Sequence, residues 1–203
     1  LPSSAPRADE SAPRVNYGVG ARGPAPRRPT ATDRTRGGGS TMTIAKGDKL
    51  PDATFIAMGP DGPEPKSTAD VFAGRKVALF AVPGAYTPTC SLNHLPSFVK
   101  NAEALKAKGI DAIVCLSVND PFVMKAWGES SGAIEAGLHM LADADGAFTQ
   151  AIGMDFTAPP VGLIGRSKRY SMVVEDGVVT ALNVEESPGQ ATVSTGEAML
   201  ETL

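Results

Sequence analysis

A continuous apolar run, Val77–Val82, and a second stretch that reads as a buried strand, Ile110–Val118, bracket a stretch of helical periodicity and restrict this chain more than any other feature. A strand that is apolar at every position needs cover on both faces. The helical pattern between them, from about Cys90 to Lys108, places Leu95, Phe98, Val99, Ala102 and Leu105 on one side and stops at Gly109. Strand, helix and strand in that order predict a βαβ unit with parallel strands and a right-handed crossover. Pro96 inside the helical stretch predicts a kink.

The remaining signals extend this unit. Ala53–Met58 reads as a strand, and Ser67 caps a short helical turn that ends at Gly74. A helix is predicted from Asp120 to Glu129, a short strand at Leu138–Leu141 and a helical turn at Gly146–Ile152. Tyr170–Val174 and Val178–Val184 flank Glu175-Asp176-Gly177, a hairpin signal. Ser194 with Glu197 has the spacing of a capping box before Ala198-Met199-Leu200. These elements predict an α/β fold with a central mixed β-sheet flanked by α-helices.

Residues 1–41 differ from the rest. They carry Pro at positions 2, 6, 13, 24, 26 and 29, show no period, and hold seven Arg, no Lys and three acids. They are expected to form a disordered leader, with residues 42–203 as the single folded domain. The leader has no apolar core of a secretory signal. Its arginines resemble an organelle transit peptide, while its prolines and Asp9-Glu10 do not. Gly37-Gly38-Gly39-Ser40 has linker character and Met42 has the look of a start. The expected location is cytoplasmic, or an organelle if residues 1–41 are a transit peptide. No run reaches membrane-spanning length.

Net charge is −3, and residues 42–203 alone are more acidic, without a basic stripe interleaved with aromatics, so nucleic acid is not an expected partner. Two cysteines, Cys90 and Cys115, provide no secreted disulfide framework and favour a reducing compartment.

Cys90 stands where the first apolar run gives way to the helix. Free N–H groups and the positive end of the helix dipole at such a place favour thiolate over thiol. In open α/β sheets, sites lie beyond the carboxyl ends of strands, and Cys90 follows the strand ending at Val82. Pro83 and Pro88 stiffen the intervening loop, Gly84 relieves it, and Thr87 holds a hydroxyl three residues before the sulfur. Such a loop orients a small oxygen-rich substrate at low cost in ordering entropy.

Pro83-Gly84-Ala85-Tyr86-Thr87-Pro88-Thr89-Cys90 resembles the Pro-x-x-x-Thr-x-x-Cys signature of peroxiredoxins. Its continuation, Ser91 to Phe98, is similar to the type-five branch, called type II in plants. Leu116–Asp120 with Trp127, Leu141-Ala142-Asp143 and Lys168–Gly177 match the same branch in order and spacing, so the resemblance spans Met42 to Leu203, about four fifths of the chain. It implies a thioredoxin-like three-layer fold and reduction of hydrogen peroxide or alkyl hydroperoxides through a sulfenic acid on Cys90. It further implies catalytic roles for Thr87 and Arg169, substrate contacts from Pro83, Gly84, Thr87, Cys90 and His94, no cofactor, and a homodimer that uses the surface around the Cys90 loop.

The position matching the C-terminal cysteine of some type-five members is Val193. Cys115 lies mid-strand, where a thiol is ordinarily inert packing. A one-cysteine mechanism is therefore expected, with glutathione, glutaredoxin or thioredoxin as external reductant. Plainer readings stand beside these: Thr87 as a turn residue, Arg169 as a strand-end charge beside Lys168 and Arg166, and His94 as a local orienting group. Cys90 and His94 lack two further ligands at metal spacing and His139 stands alone, so no metal is expected. A thiol-based redox sensor with incidental turnover is the alternative function. A thioredoxin-like disulfide oxidoreductase needs a second thiol where Ser91-Leu92-Asn93 stands.

Overall fold

A computed structural model describes residues 43–203. The leader expected over residues 1–41, and Met42, lie outside the described residues. In chain order the elements are β1 (Thr54–Gly59), β2 (Gly62–Ser67), α1 (Thr68–Phe72), β3 (Lys76–Ala81), α2 (Leu95–Ala107), β4 (Ala112–Ser117), α3 (Pro121–Ser130), β5 (Leu138–Ala142), α4 (Ala147–Ala151), β6 (Asp155–Ala158), β7 (Leu163–Ser167), β8 (Tyr170–Glu175), β9 (Val178–Val184) and α5 (Gly196–Thr202). Seven strands form one sheet in the order β2-β1-β5-β4-β3-β8-β9, and β6 pairs with β7 separately. β3, β4 and β5 run parallel, whereas β8 is antiparallel to β3 and β1 to β5, so the sheet is mixed.

The apolar runs become β3 and β4 at the sheet's centre, and their period of two feeds two separate cores. Val77, Leu79 and Ala81 pack with Phe72, Phe148 and Ile152 on the face carrying α1 and α4. Ala78, Phe80 and Val82 pack with Phe98, Trp127 and Met199 on the face carrying α2, α3 and α5. The result is the expected three-layer, thioredoxin-like arrangement. Ser67 caps α1 reciprocally with Asp70, as its position before the helix predicts.

Four features depart from the sequence-based expectations. β2 pairs with β1 through a hairpin, although Pro63 and Pro65 lie in it. The prolines are accommodated because β2 is an edge strand that needs no donors on its outer side. β6 and β7 form a second, small hairpin. The kink at Pro96 takes the form of a π turn over Cys90–His94, in which the Leu95 N–H donates to the Cys90 carbonyl five residues back. Pro96 has no N–H for the Leu92 carbonyl and would clash with it in a regular helix, and the widened turn relieves both. Finally, α5 is capped by Thr195, which accepts from the Ala198 N–H, and not by Ser194.

Candidate active site

The Cys90 loop leaves the carboxyl end of β3 and is held from both sides. Pro83 and Gly84 are buried and Thr87 is half-buried. The Thr87 hydroxyl donates to the Gly84 carbonyl at 3.0 Å. The Ala85 N–H donates to Asn119 Oδ1 at 3.0 Å, and the Ser117 hydroxyl donates to the same oxygen at 2.7 Å, which ties the loop to the end of the neighbouring parallel strand β4. Tyr86 adopts φ 61°, a left-handed conformation that costs a bulky residue about 1–2 kcal/mol and is retained only where its surroundings fix it.

Helical geometry resumes at Pro88, with Cys90 in the first turn and its side chain fully buried. The π turn brings Cys90 and His94 onto one face, and Arg169 meets both. Arg169 immediately precedes β8. Tyr170, Met172 and Val174 of that strand enter the opposite core, so strand alternation sends Arg169 to the Cys90 side. Its Nη2 donates to Cys90 Sγ at 3.2 Å and its Nη1 meets His94 Nδ1 at 3.0 Å. Nη2 and Nε also donate to the Pro188 carbonyl, at 2.8 and 3.3 Å. The guanidinium is 1% exposed, yet among the described residues no carboxylate forms an ion pair with it.

A guanidinium only donates, so His94 Nδ1 is an acceptor and its proton sits on Nε2, where it donates to the Ser194 carbonyl at 2.9 Å. Burial, reinforced by the Arg169 charge, holds the His94 pKa down to about 3, so the ring is neutral. Both ring nitrogens are engaged inside the protein. His94 therefore faces Arg169, where the sequence assigns it to the substrate.

Behind His94, the Ser194 hydroxyl donates to Glu185 Oε1 at 2.8 Å, and the Ser194 and Thr192 N–H groups reach the same oxygen at 2.9 and 2.6 Å. The Thr192 hydroxyl takes the other oxygen at 2.9 Å. These four donors hold the Glu185 carboxyl below the usual carboxylate range, against the opposing effect of burial. Glu185, Pro188 and Ser194 escape the sequence reading. The run Glu185-Glu186 followed by Pro188 marks the end of β9, and nothing in it points across the fold to Cys90.

Cys115 lies in the middle of β4, opposite Phe80 in the ladder, with no exposure, and burial pushes its thiol well up. Trp127 packs on the Cys90 side and donates its Nε1–H to Ser91 Oγ at 3.1 Å. Elsewhere, a cavity of about 750 Å³ opens where β1 and β5 diverge after their single bridge at Ile56 and Ala142. Met58, Arg75 and His139 line it, and none of the Cys90 motif does.

The Redoxin family model matches residues 45–200. The chain is 52% identical over 165 residues to peroxiredoxin-2E-2, chloroplastic, of Oryza sativa subsp. japonica, covering 79% of this chain and 73% of that protein. Peroxiredoxin-2B of Arabidopsis thaliana is 44% identical over 161 residues, covering 79% and 98%. These relatives carry the plant type II label in preference to the type-five one. The crystal structure of reduced Prx3 from Vibrio vulnificus in complex with H2O2 shares 49% identity at a TM-score of 0.73, covering 79% of this chain and 99% of that one. A thiol at the mouth of a thioredoxin-like sheet, set in this loop and matched along the whole folded region, places the chain in the peroxiredoxin family.

Proposed function

We propose that Cys90 is the peroxidatic thiol through which this chain, a thiol-dependent peroxidase like the rest of its family, reduces hydroperoxides. One observation carries the assignment. Among the described residues Arg169 is a buried cation with no carboxylate partner, and the one group it contacts that is able to carry a negative charge is Cys90 Sγ at 3.2 Å. A buried charge needs a counter-charge, and a thiolate supplies one while accepting a charge-assisted hydrogen bond.

The chemistry follows from that pairing. The thiolate attacks the terminal peroxide oxygen in line with the O–O bond, so an S–O bond forms as the O–O bond breaks. Sulfur is oxidised by two electrons, and the departing oxygen leaves with the bonding pair and takes a proton to become water or an alcohol. Arg169 stabilises the charge as it moves from sulfur to oxygen. Thr87 has committed its proton to the Gly84 carbonyl, so its oxygen offers lone pairs to the peroxide O–H. Pro83 and Gly84 close the loop against water. His94, with Glu185 and Ser194 behind it, acts as a positioning residue that fixes the guanidinium.

The sulfenic acid is then reduced from outside. A thiol attacks its sulfur, water leaves, and a second thiol breaks the mixed disulfide to restore Cys90. Cys115 has no exposure with which to play that part, which supports the one-cysteine reading with glutathione, glutaredoxin or thioredoxin as the source of thiol. The exposed rings and side chains of Tyr86 and Leu92 beside the loop suit the homodimer surface. No described helix is long and apolar enough to cross a membrane. The 52%-identical relative is named a chloroplastic protein, which favours an organelle over the cytoplasm, with residues 1–41 as the address. Fusing residues 1–41 to a fluorescent protein tests that location.

The deciding experiment is peroxide consumption with glutathione or thioredoxin as reductant, wild type against Cys90→Ser. Turnover in the Ser variant would end the assignment, and oxidation of wild type without sustained turnover would favour the sensor reading.

A further inference from the structure

We propose that Arg166 forms an anion subsite beside Cys90 that docks a carboxylate on the molecule reacting at the sulfur. Arg166 lies in β7, opposite Phe156 in the β6–β7 ladder, with its side chain half-buried. A Cβ placed on Gly84 would stand 3.1 Å from Arg166 Nη1, 3.3 Å from Thr87 Cγ2 and 3.8 Å from Asn119 Oδ1. Arg166 Nη1 and the Thr87 methyl group therefore flank the bare Cα of Gly84 in the reactive loop, where a Cβ would crowd both.

Its bonding sets it apart from Arg169. Arg169 spends its donors on sulfur, imidazole and a carbonyl. The Arg166 side chain makes no hydrogen bond and no ion pair with any described residue. A half-buried guanidinium has lost part of its hydration, and its planar fork of donors matches a carboxylate at two points. Hydrogen peroxide has no charge to offer such a group. A thiol or a hydroperoxide that carries a carboxylate does.

This inference rests on Cys90 being the reacting thiol, and the experiment keeps the two apart. Trp127, the chain's one tryptophan, is bonded to Ser91 next to Cys90, so its fluorescence follows both half-reactions in the full chain. In the first arm the oxidised protein is reduced by 3-mercaptopropionate or by uncharged 2-mercaptoethanol. In the second, the reduced protein is oxidised by linoleic acid hydroperoxide or by its methyl ester. The ratio of anionic to neutral rates is expected to fall about tenfold in Arg166→Gln in one arm, and in wild type to shrink as salt is raised. Arg166→Lys keeps the charge without the fork and is expected to retain part of the preference.

A loss in the thiol arm assigns the carboxylate to the reductant, and a loss in the peroxide arm assigns it to the substrate. Ratios unchanged in both arms overturn the subsite, and so does an equal fall of anionic and neutral rates, which would make Arg166 a prop for the loop. Wild-type protein that no hydroperoxide oxidises would instead remove the Cys90 reading on which the subsite depends.

Discussion

Replacing Arg169 with methionine keeps much of its volume and removes every donor it offers. The variant loses the Nη2 hydrogen bond to Cys90 Sγ at 3.2 Å and, with it, the buried charge that stabilises the departing oxygen in the proposed reaction. A hydrogen bond to a charged group contributes about 1.5–3 kcal/mol, and removing a group aimed at developing charge costs about 2–4 kcal/mol in catalysis. At 1.36 kcal/mol per decade, the second-order rate of Cys90 oxidation is expected to fall about 30- to 1,000-fold. Arg169→Lys restores the charge but cannot reach Sγ, His94 Nδ1 and the Pro188 carbonyl together, so it is expected to recover part of the loss. Stopped-flow fluorescence of Trp127 reads the rate, and a thermal melt shows that the variants are folded. An Arg169→Met rate within threefold of wild type in a folded protein would refute the reasoning, because a cation at this distance would then contribute nothing to the reaction.

Four further outcomes are expected. Cys115→Ser should oxidise and turn over within about twofold of wild type, since its thiol is buried and unused; a large loss would require an internal resolving thiol. His94 is held at about 3 when folded and returns to its ordinary 6.5 when unfolded, so between those values the unfolded chain binds one more proton. Its contribution is complete above pH 6.5 and is lost as pH falls towards 3, at up to about 1.4 kcal/mol per pH unit, and melts of wild type and His94→Asn against pH should differ in that slope. Glu185→Gln confronts four donors with a side chain that brings two more of its own, and should lower the melting temperature by an amount equivalent to about 1–3 kcal/mol while slowing Cys90 oxidation. Gly196→Ala would put a Cβ 2.5 Å from the Ser97 carbonyl oxygen, forcing α5 off α2 at a cost of about 1–3 kcal/mol in chemical denaturation.

What the sequence revealed of the fold divides by the range of the interactions concerned. β3 and β4 were readable because full burial leaves an unbroken apolar run, and β8–β9 because the turn needs left-handed residues, supplied by Asp176 at φ 47° and Gly177 at φ 79°. β2 was not, because an edge position tolerates prolines that elsewhere argue against a strand. At the site, Cys90 and Thr87 belong to one loop and Arg169 to a motif in the family resemblance. Ser194 carries a pattern that fits a helix cap equally well. Its hydroxyl is instead spent on Glu185 at 2.8 Å, and its carbonyl on His94, 100 residues away, so Thr195 takes the cap.

The chain of groups from Glu185 to Cys90 also explains why the buried cation must meet sulfur. Glu185 is an anion, but its oxygens are filled by four donors, and a neutral imidazole separates it from Arg169. Were His94 charged, it would repel the guanidinium and could not accept from it, and were Glu185 in direct contact, its carboxylate would satisfy Arg169 without any thiolate. A neutral acceptor passes orientation without passing charge. Arg169 is thus fixed by His94 Nδ1 and the Pro188 carbonyl while no carboxylate among the described residues pairs with its positive charge, which faces Sγ at 3.2 Å. In the proposed reaction that charge stabilises the electron pair as it passes from sulfur to the departing oxygen.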